Sequence, residues 1–150
     1  MIFISHRGNI NGAIPERENH PDYIKEALAQ GYEVEVDVWY DNFGWWLGHD
    51  KPQYKWAGGL FPETYWCHCK NIGALNEFRA NVQYPHECKY FWHQNDDYTL
   101  TSSGHIWVYP GKPLGAYFNS IAVCPERVSG WDLRTAIGIC SDNIRKYKVG

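Results

Sequence analysis

The sequence contains no apolar run approaching the roughly 18 residues that a membrane-crossing helix requires. The opening residues, Met1-Ile2-Phe3-Ile4, lack the basic, apolar and small-residue blocks of a secretory signal, so a cytoplasmic protein is expected. Positive charge is not in excess either. A formal net charge of −3 offers no field that would gather a polyanion, and nucleic acid is not an expected partner. Internal repeats and low-complexity tracts are absent, which excludes solenoids and arrays. With 44% hydrophobic and 21% charged residues, a disordered chain is excluded too. What remains is a single globular domain spanning 1–150, large enough to bury a core without a disulfide framework or structural metal.

Cysteine is present but unsuited to a disulfide scaffold. The five cysteines (Cys67, Cys69, Cys88, Cys124 and Cys140) are odd in number and sit mostly in apolar runs, so they read as buried thiols of a reducing compartment. A zinc site through Cys67-His68-Cys69 is disfavoured. On a strand, His68 points away from both cysteines. Aromatic residues, in contrast, are abundant: Trp 8, Tyr 11 and Phe 6. They read chiefly as large core side chains; Trp45, Trp46 and Trp56 are the candidates for a pocket rim.

Apolar patterning gives the coarse layout. Ile2 to Ser5 is a short strand broken by Gly8. Asn19 caps a helix with Pro21 in its first turn and Ile24, Ala27 and Leu28 as its buried stripe, ending at Gly31. Residues 33–38 alternate strictly, placing Glu35 and Asp37 on one face and Val34, Val36 and Val38 on the other. A turn at 41–44 returns the chain through Trp45-Trp46-Leu47 to Gly48-His49-Asp50. Residues 51–63 read as loop, and 64–69 as strand. Asn71 caps a helix with a stripe of Ile72, Leu75 and Phe78. Strands follow at 89–93, 105–109, 120–124 and 137–140, with a short helical piece near 131–136. Strand, helix, strand, strand, helix, strand is the order of a parallel β/α array. A full eightfold barrel takes about 200 residues or more. The expected fold is therefore α/β, a reduced, truncated TIM-type β/α barrel with its helices mainly in the N-terminal half.

The chemistry gathers at strand ends. Glu35 and Asp37, two apart on one strand, share a face. Carboxylates so placed repel, and they favour a proton or a hard divalent ion such as Mg²⁺ or Ca²⁺. His6 closes the first strand and His49 follows the hairpin after the second. Two histidines at one barrel mouth suit phosphodiester cleavage, which needs one group to take a proton and one to give it. Arg7 offers a planar fork to phosphate and Lys70 a point charge. His93 and Asn95 lie near the same mouth but read as structural, and Asp142 as fixing a loop. His20, His86 and His105 read as surface or loop residues.

His6-Arg7-Gly8, Glu18-Asn19, Glu35-Val36-Asp37-Val38, Asn42-Phe43-Gly44 and Gly48-His49-Asp50 form an ordered set at characteristic spacings. Together they resemble the signatures of glycerophosphodiester phosphodiesterases, within the phospholipase C-like phosphodiesterases. The resemblance covers the first third of the chain closely. His68-Cys69-Lys70 and Ile139-Cys140-Ser141-Asp142 continue it more faintly. It implies a TIM-type barrel, a divalent metal at Glu35 and Asp37, His6 and His49 as acid and base, and Arg7 and Lys70 on phosphate. It also implies a small phosphodiester substrate bearing a glycerol-like or lipid head group. His68 stands where that family has a third metal-binding glutamate. Imidazole is a poorer ligand for Mg²⁺ and a better one for Mn²⁺ or Zn²⁺. The short chain points to a shallow pocket, and to sheet edges covered by homo-oligomerisation. Two alternatives share the site: a lyase releasing a cyclic phosphate, and a non-catalytic module that binds phosphate esters.

Overall fold

The computed structural model describes residues 1–81, 83 and 85–148. Its centre is one ten-stranded mixed sheet, curled into a half-barrel. The strands are β1 (Ile2–His6), β2 (Glu33–Asp41), β3 (Gly44–Leu47), β4 (Tyr54–Lys55), β5 (Tyr65–Cys69), β6 (Lys89–Trp92), β7 (Tyr98–Leu100), β8 (Ile106–Val108), β9 (Ser120–Val123) and β10 (Ala136–Ser141). Three short helices accompany them: α1 (Pro21–Ala29), α2 (Ile72–Ala80) and α3 (Ile144–Lys148). From β6 through β5, β2, β1, β10 and β9 to β8, neighbouring strands run parallel. The strands β3, β4 and β7 are added antiparallel to their neighbours.

This architecture overturns the expected β/α barrel. Among the described residues only the crossovers from β1 to β2 and from β5 to β6 carry an α-helix. Beyond β6 the connections are turns, the short strand β7 and a single 3-10 turn at Pro125–Arg127, too short for a helical layer. The fold is mostly β, and antiparallel additions take positions where alternating helices would have stood. Two strands have no counterpart in the sequence pattern: β4, two residues inside what reads as loop, and β7, three residues long.

Strand alternation divides the interior into two layers. Val34, Val36 and Val38 of β2, with Cys67 and Cys69 of β5, face outward into a core shared with Ile24 and Ala27 of α1 and Ala74 and Phe78 of α2. The opposite face of the sheet buries Ile4, Trp66, Phe91, Trp107, Ile121 and Cys140. It also carries the polar groups described below. Each full burial of a large apolar side chain contributes about 1.5–3 kcal/mol, so these two layers fix which side of β2 its acids occupy.

Helix boundaries follow local hydrogen bonding, with four departures from the sequence pattern. His20, not Asn19, caps α1, its Nδ1 accepting the Asp22 N–H at 3.2 Å. Asn19 sits in a left-handed conformation (φ 62°) with its side chain buried elsewhere. Asn71 caps α2 as its position predicts, accepting the Ala74 N–H at 3.0 Å. The stripe of α2 is Ala74 and Phe78, however, while Ile72 is exposed. No helix forms near 131–136, where β10 begins instead, and α3 follows β10 where none was expected.

The aromatic content resolves mainly into the outer layer. Trp45, Trp56, Phe61, Phe78 and His86 stack and abut with ring centroids 4.5–5.5 Å apart. His86, read from sequence as a loop residue, is half-buried there, and its Nδ1 accepts the Phe61 N–H at 2.9 Å. That bond needs a neutral ring, and burial lowers the His86 pKa below 6.5. A lowered histidine pKa gives stability that is complete above about 6.5 and is lost as pH falls through the folded-state value. Partial exposure keeps the effect small. Wild type should lose urea resistance relative to His86→Phe between pH 7 and pH 5. Parallel midpoints over that range would show that His86 does not titrate differently in the fold.

Candidate metal and phosphate site

At the C-terminal ends of the parallel strands lies a cavity of about 420 Å³. Open sheets with parallel strands place ligand sites at this end. His6, Arg7, Glu35, His49, His68 and Lys70 all line it. Asp37, fully buried, lies beneath them and touches Arg7, His68 and Lys70. Each residue singled out from sequence for catalysis, phosphate or metal thus lines this cavity or supports it from below. Its remaining walls are Trp92, His93, Gln94, Trp107, Tyr109, Pro110, Val123, Cys124 and Arg127, with Cys69 beside Lys70. The rings at the cavity are therefore Trp92, Trp107 and Tyr109, not Trp45, Trp46 or Trp56: Trp45 and Trp56 belong to the outer core, and Trp46 lies under Lys55.

Glu35 and Asp37 project from β2 to the inner face, and His68, paired with Asp37 in the adjacent strand β5, projects with them. His68 Nδ1 is 3.1 Å from Asp37 Oδ1 and 3.8 Å from Glu35 Oε1. Its other nitrogen, Nε2, is 2.8 Å from the His93 carbonyl oxygen. A carbonyl only accepts, so Nε2 carries a proton. In neutral His68 the Nδ1 lone pair therefore faces two carboxylate oxygens. A second proton, or a cation, satisfies such a cluster. Asp37 Oδ1 and Glu35 Oε2 are buried without an aligned hydrogen-bond donor. The three donors lie within 4.8 Å of one another, and as a group they can hold a metal ion. An imidazole with its far N–H on a backbone carbonyl is the usual setting of a metal-bound histidine.

The chain supplies cations of its own to this cluster. Arg7 Nε lies 2.9 Å from Asp37 Oδ2, an ion contact off the N–H axis, and Arg7 NH1 donates to Glu18 Oε2 at 3.2 Å. Lys70 Nζ is 3.8 Å from Asp37 Oδ1. Asn19 clasps the same acid twice, donating from Nδ2 to Oδ2 at 2.9 Å and accepting the Asp37 N–H at 3.0 Å. Burial works against an ionised Asp37, but His68 and Arg7 beside it hold its carboxyl well below the usual range. Glu35 goes the other way: burial, then the charge of Asp37, raises its pKa. Two neighbouring acids are thus pushed apart.

His6 ends β1 at the cavity wall. Its Nδ1–H donates to Asp142 Oδ1 at 2.6 Å, and its Nε2 lies 3.7 Å from Glu35 Oε2. Burial favours the neutral ring, yet the bonds to Asp142 and Cys124 and the charge of Glu35 raise its pKa well above 6.5. Asp142 is itself fixed by Asn9 Nδ2 at 2.9 Å, by Arg127 at 3.1 Å and, through its own N–H, by Glu126. His49 reaches the cavity from the outside. It is exposed, with Nδ1 2.7 Å from the exposed Asp50 carboxylate.

Residues that sequence reasoning passed over carry much of this architecture. Asp142 orients His6, Glu18 and Asn19 hold Arg7 and Asp37, and Cys124 lies 3.9 Å from His6 Nδ1. The signal for Glu18 and Asn19 was their place in the motif set. For Asp142 it was the polar step at the end of the last apolar strand. All five cysteines are free and buried, and among the described residues neither group able to hold a metal includes Cys67 or Cys69.

No family model, curated protein or solved structure matches this chain. Among the described residues no helix is long and apolar enough to cross a membrane.

Proposed function

We propose that this chain is a metal-assisted phosphodiesterase acting on small glycerophosphodiester-like substrates, as its motif resemblance implies. The observation that carries the reading is the shared cavity: His6, His49, Arg7, Lys70 and Glu35 line one volume of about 420 Å³, with Asp37 buried beneath against Arg7, His68 and Lys70. A divalent ion held by Glu35, Asp37 and His68 would polarise the phosphoryl group and offset its developing charge. Lys70, and Arg7 once it turns from Glu18, present cationic donors to the non-bridging oxygens. His6, with Nδ1 committed to Asp142, works through Nε2, and its raised pKa suits the ring to give a proton to the leaving alkoxide. His49, exposed at the mouth, is suited to take the proton of the attacking hydroxyl or water.

Purified protein should cleave a generic phosphodiester in Mg²⁺, Mn²⁺ or Ca²⁺, lose turnover in excess chelator and regain it on metal addition. A folded sample inert with all three metals and several diesters would remove the proposal. Phosphorus NMR of the product separates hydrolysis from release of a cyclic phosphate. One observation favours a second reading, a non-catalytic binding module. Arg7 and Lys70 already stand at Asp37, so the acid pair is neutralised without an added ion. Calorimetry would then show phosphate-ester binding that is unchanged by chelator and unaccompanied by turnover.

A further inference from the structure

We propose that His6 Nδ1, Cys124 Sγ and Asp142 Oδ1 form a second, thiophilic metal site, selective for Zn²⁺ over Mg²⁺ and distinct from the oxygen-rich group at Glu35 and Asp37. The three donors are buried and lie within 4.8 Å of one another. The nearer separations are 2.6 Å from Nδ1 to Oδ1 and 3.9 Å from Nδ1 to Sγ. In a tetrahedral zinc site with Zn–N near 2.0–2.1 Å and Zn–S near 2.3 Å, neighbouring donors stand about 3.3–3.6 Å apart. The present spacing brackets that edge, and adjustments of about an ångström at Asp142 and Cys124 would meet it. One sulfur, one imidazole and one carboxylate is a donor set that zinc accepts and magnesium does not.

Chain placement supports the geometry. The three residues come from the C-terminal ends of β1, β9 and β10, which are adjacent in the sheet. Cys124 takes a left-handed conformation (φ 45°), which is costly for a non-glycine residue. Cys124 and His6 both line the cavity, so an ion has a route in and a fourth position open to water. On the far side of the ring, Glu35 Oε2 is buried, lacks a hydrogen-bond donor and lies 3.7 Å from His6 Nε2. A carboxylate behind a metal-bound imidazole is the recurrent support of zinc histidines.

Charge balance also holds. Binding replaces the proton on Nδ1 of a protonated His6 and the thiol proton of Cys124. Two protons leave as one divalent ion enters, so the buried net charge is unchanged. Arg127, 3.1 Å from Asp142 Oδ2, competes, but its side chain is 57% exposed and free to swing away. A zinc-loaded His6 cannot exchange a proton. Zinc at this site would therefore inhibit turnover, a consequence that rests on the phosphodiesterase reading, whereas the metal site does not.

The test is Co²⁺ titration of the full chain, stripped of metal, without substrate. One equivalent should give a thiolate-to-cobalt charge-transfer band that Zn²⁺ abolishes and a large excess of Mg²⁺ leaves intact. Cys124→Ser, folded by circular dichroism, should lack the band. No band in wild type, or an equal band in Cys124→Ser, overturns the site. Should that variant not fold, the wild-type chain still decides. Zn²⁺ should protect Cys124 from alkylation, read by peptide mass spectrometry, and a labelling rate indifferent to Zn²⁺ overturns it. A protein with the band but no diester turnover loses the enzymatic reading and keeps the zinc site. Turnover without the band does the reverse.

Discussion

Under the proposed phosphodiesterase reading, replacing His6 with alanine should lower kcat for a phosphodiester by about 10²–10⁴-fold, the usual contribution of one general acid–base group. The size of the effect follows from how tightly this ring is held. Its Nδ1 is engaged at 2.6 Å by Asp142, which is in turn fixed by Asn9 and Arg127. One tautomer and one orientation are therefore enforced, and Nε2 is the nitrogen directed toward Glu35 and the cavity. A carboxylate that orients an imidazole and stabilises its protonated form keeps a proton-transfer group ready for reaction. His49 lacks that support, standing exposed with the exposed Asp50 as its neighbour, and His49→Ala should cost less. In His6→Ala, Asp142 keeps its bonds to Asn9 and Arg127, so the fold should persist in circular dichroism while kcat falls. An unchanged kcat in a folded sample removes His6 from the chemistry.

Much of the site was legible because strand alternation is local. Glu35, Asp37 and the three valines between and around them declare their faces within six residues: the valines enter the outer core and the acids, equally buried, lie on the opposite face. His68, flanked by two cysteines, obeys the same rule: the thiols enter the outer core and the imidazole turns inward. The overall architecture was less legible. A parallel order of strands suggested a layer of helices, but parallel pairing is decided between distant segments, and the strands β8, β9 and β10 achieve it with loops. β7, three residues with two of them exposed, carries no apolar run to mark it, whereas the equally short β8 is announced by Ile106-Trp107-Val108. Asn19 shows the same limit at a single residue. By local chemistry it is a helix cap, yet the partner that claims it, Asp37, lies 18 positions away. Asp142 and His6 are 136 positions apart, and nothing near either residue announces the other.

Asp37→Ala should destabilise the fold by about 3–5 kcal/mol, the range found when one member of a buried ion pair is removed. Asp37 is fully buried and answers to several groups at once: Arg7, His68, Lys70 and both ends of the Asn19 amide. Deleting the carboxylate leaves a guanidinium with 18% side-chain exposure without its nearest buried acid, and leaves the Asn19 Nδ2 donor without its Asp37 acceptor. Asp37→Asn keeps the volume and an acceptor oxygen, so it should cost less than alanine. With urea slopes of about 1–3 kcal/mol per molar, the alanine variant's midpoint should fall by more than about 1 M at unchanged slope. The opposite result would be informative. If Asp37→Ala were as stable as wild type, the carboxylates would be held together at a cost that their own cations do not offset. The cluster would then be poised for an external ion rather than neutralised from within, which strengthens the metal reading at the expense of the binding-module one.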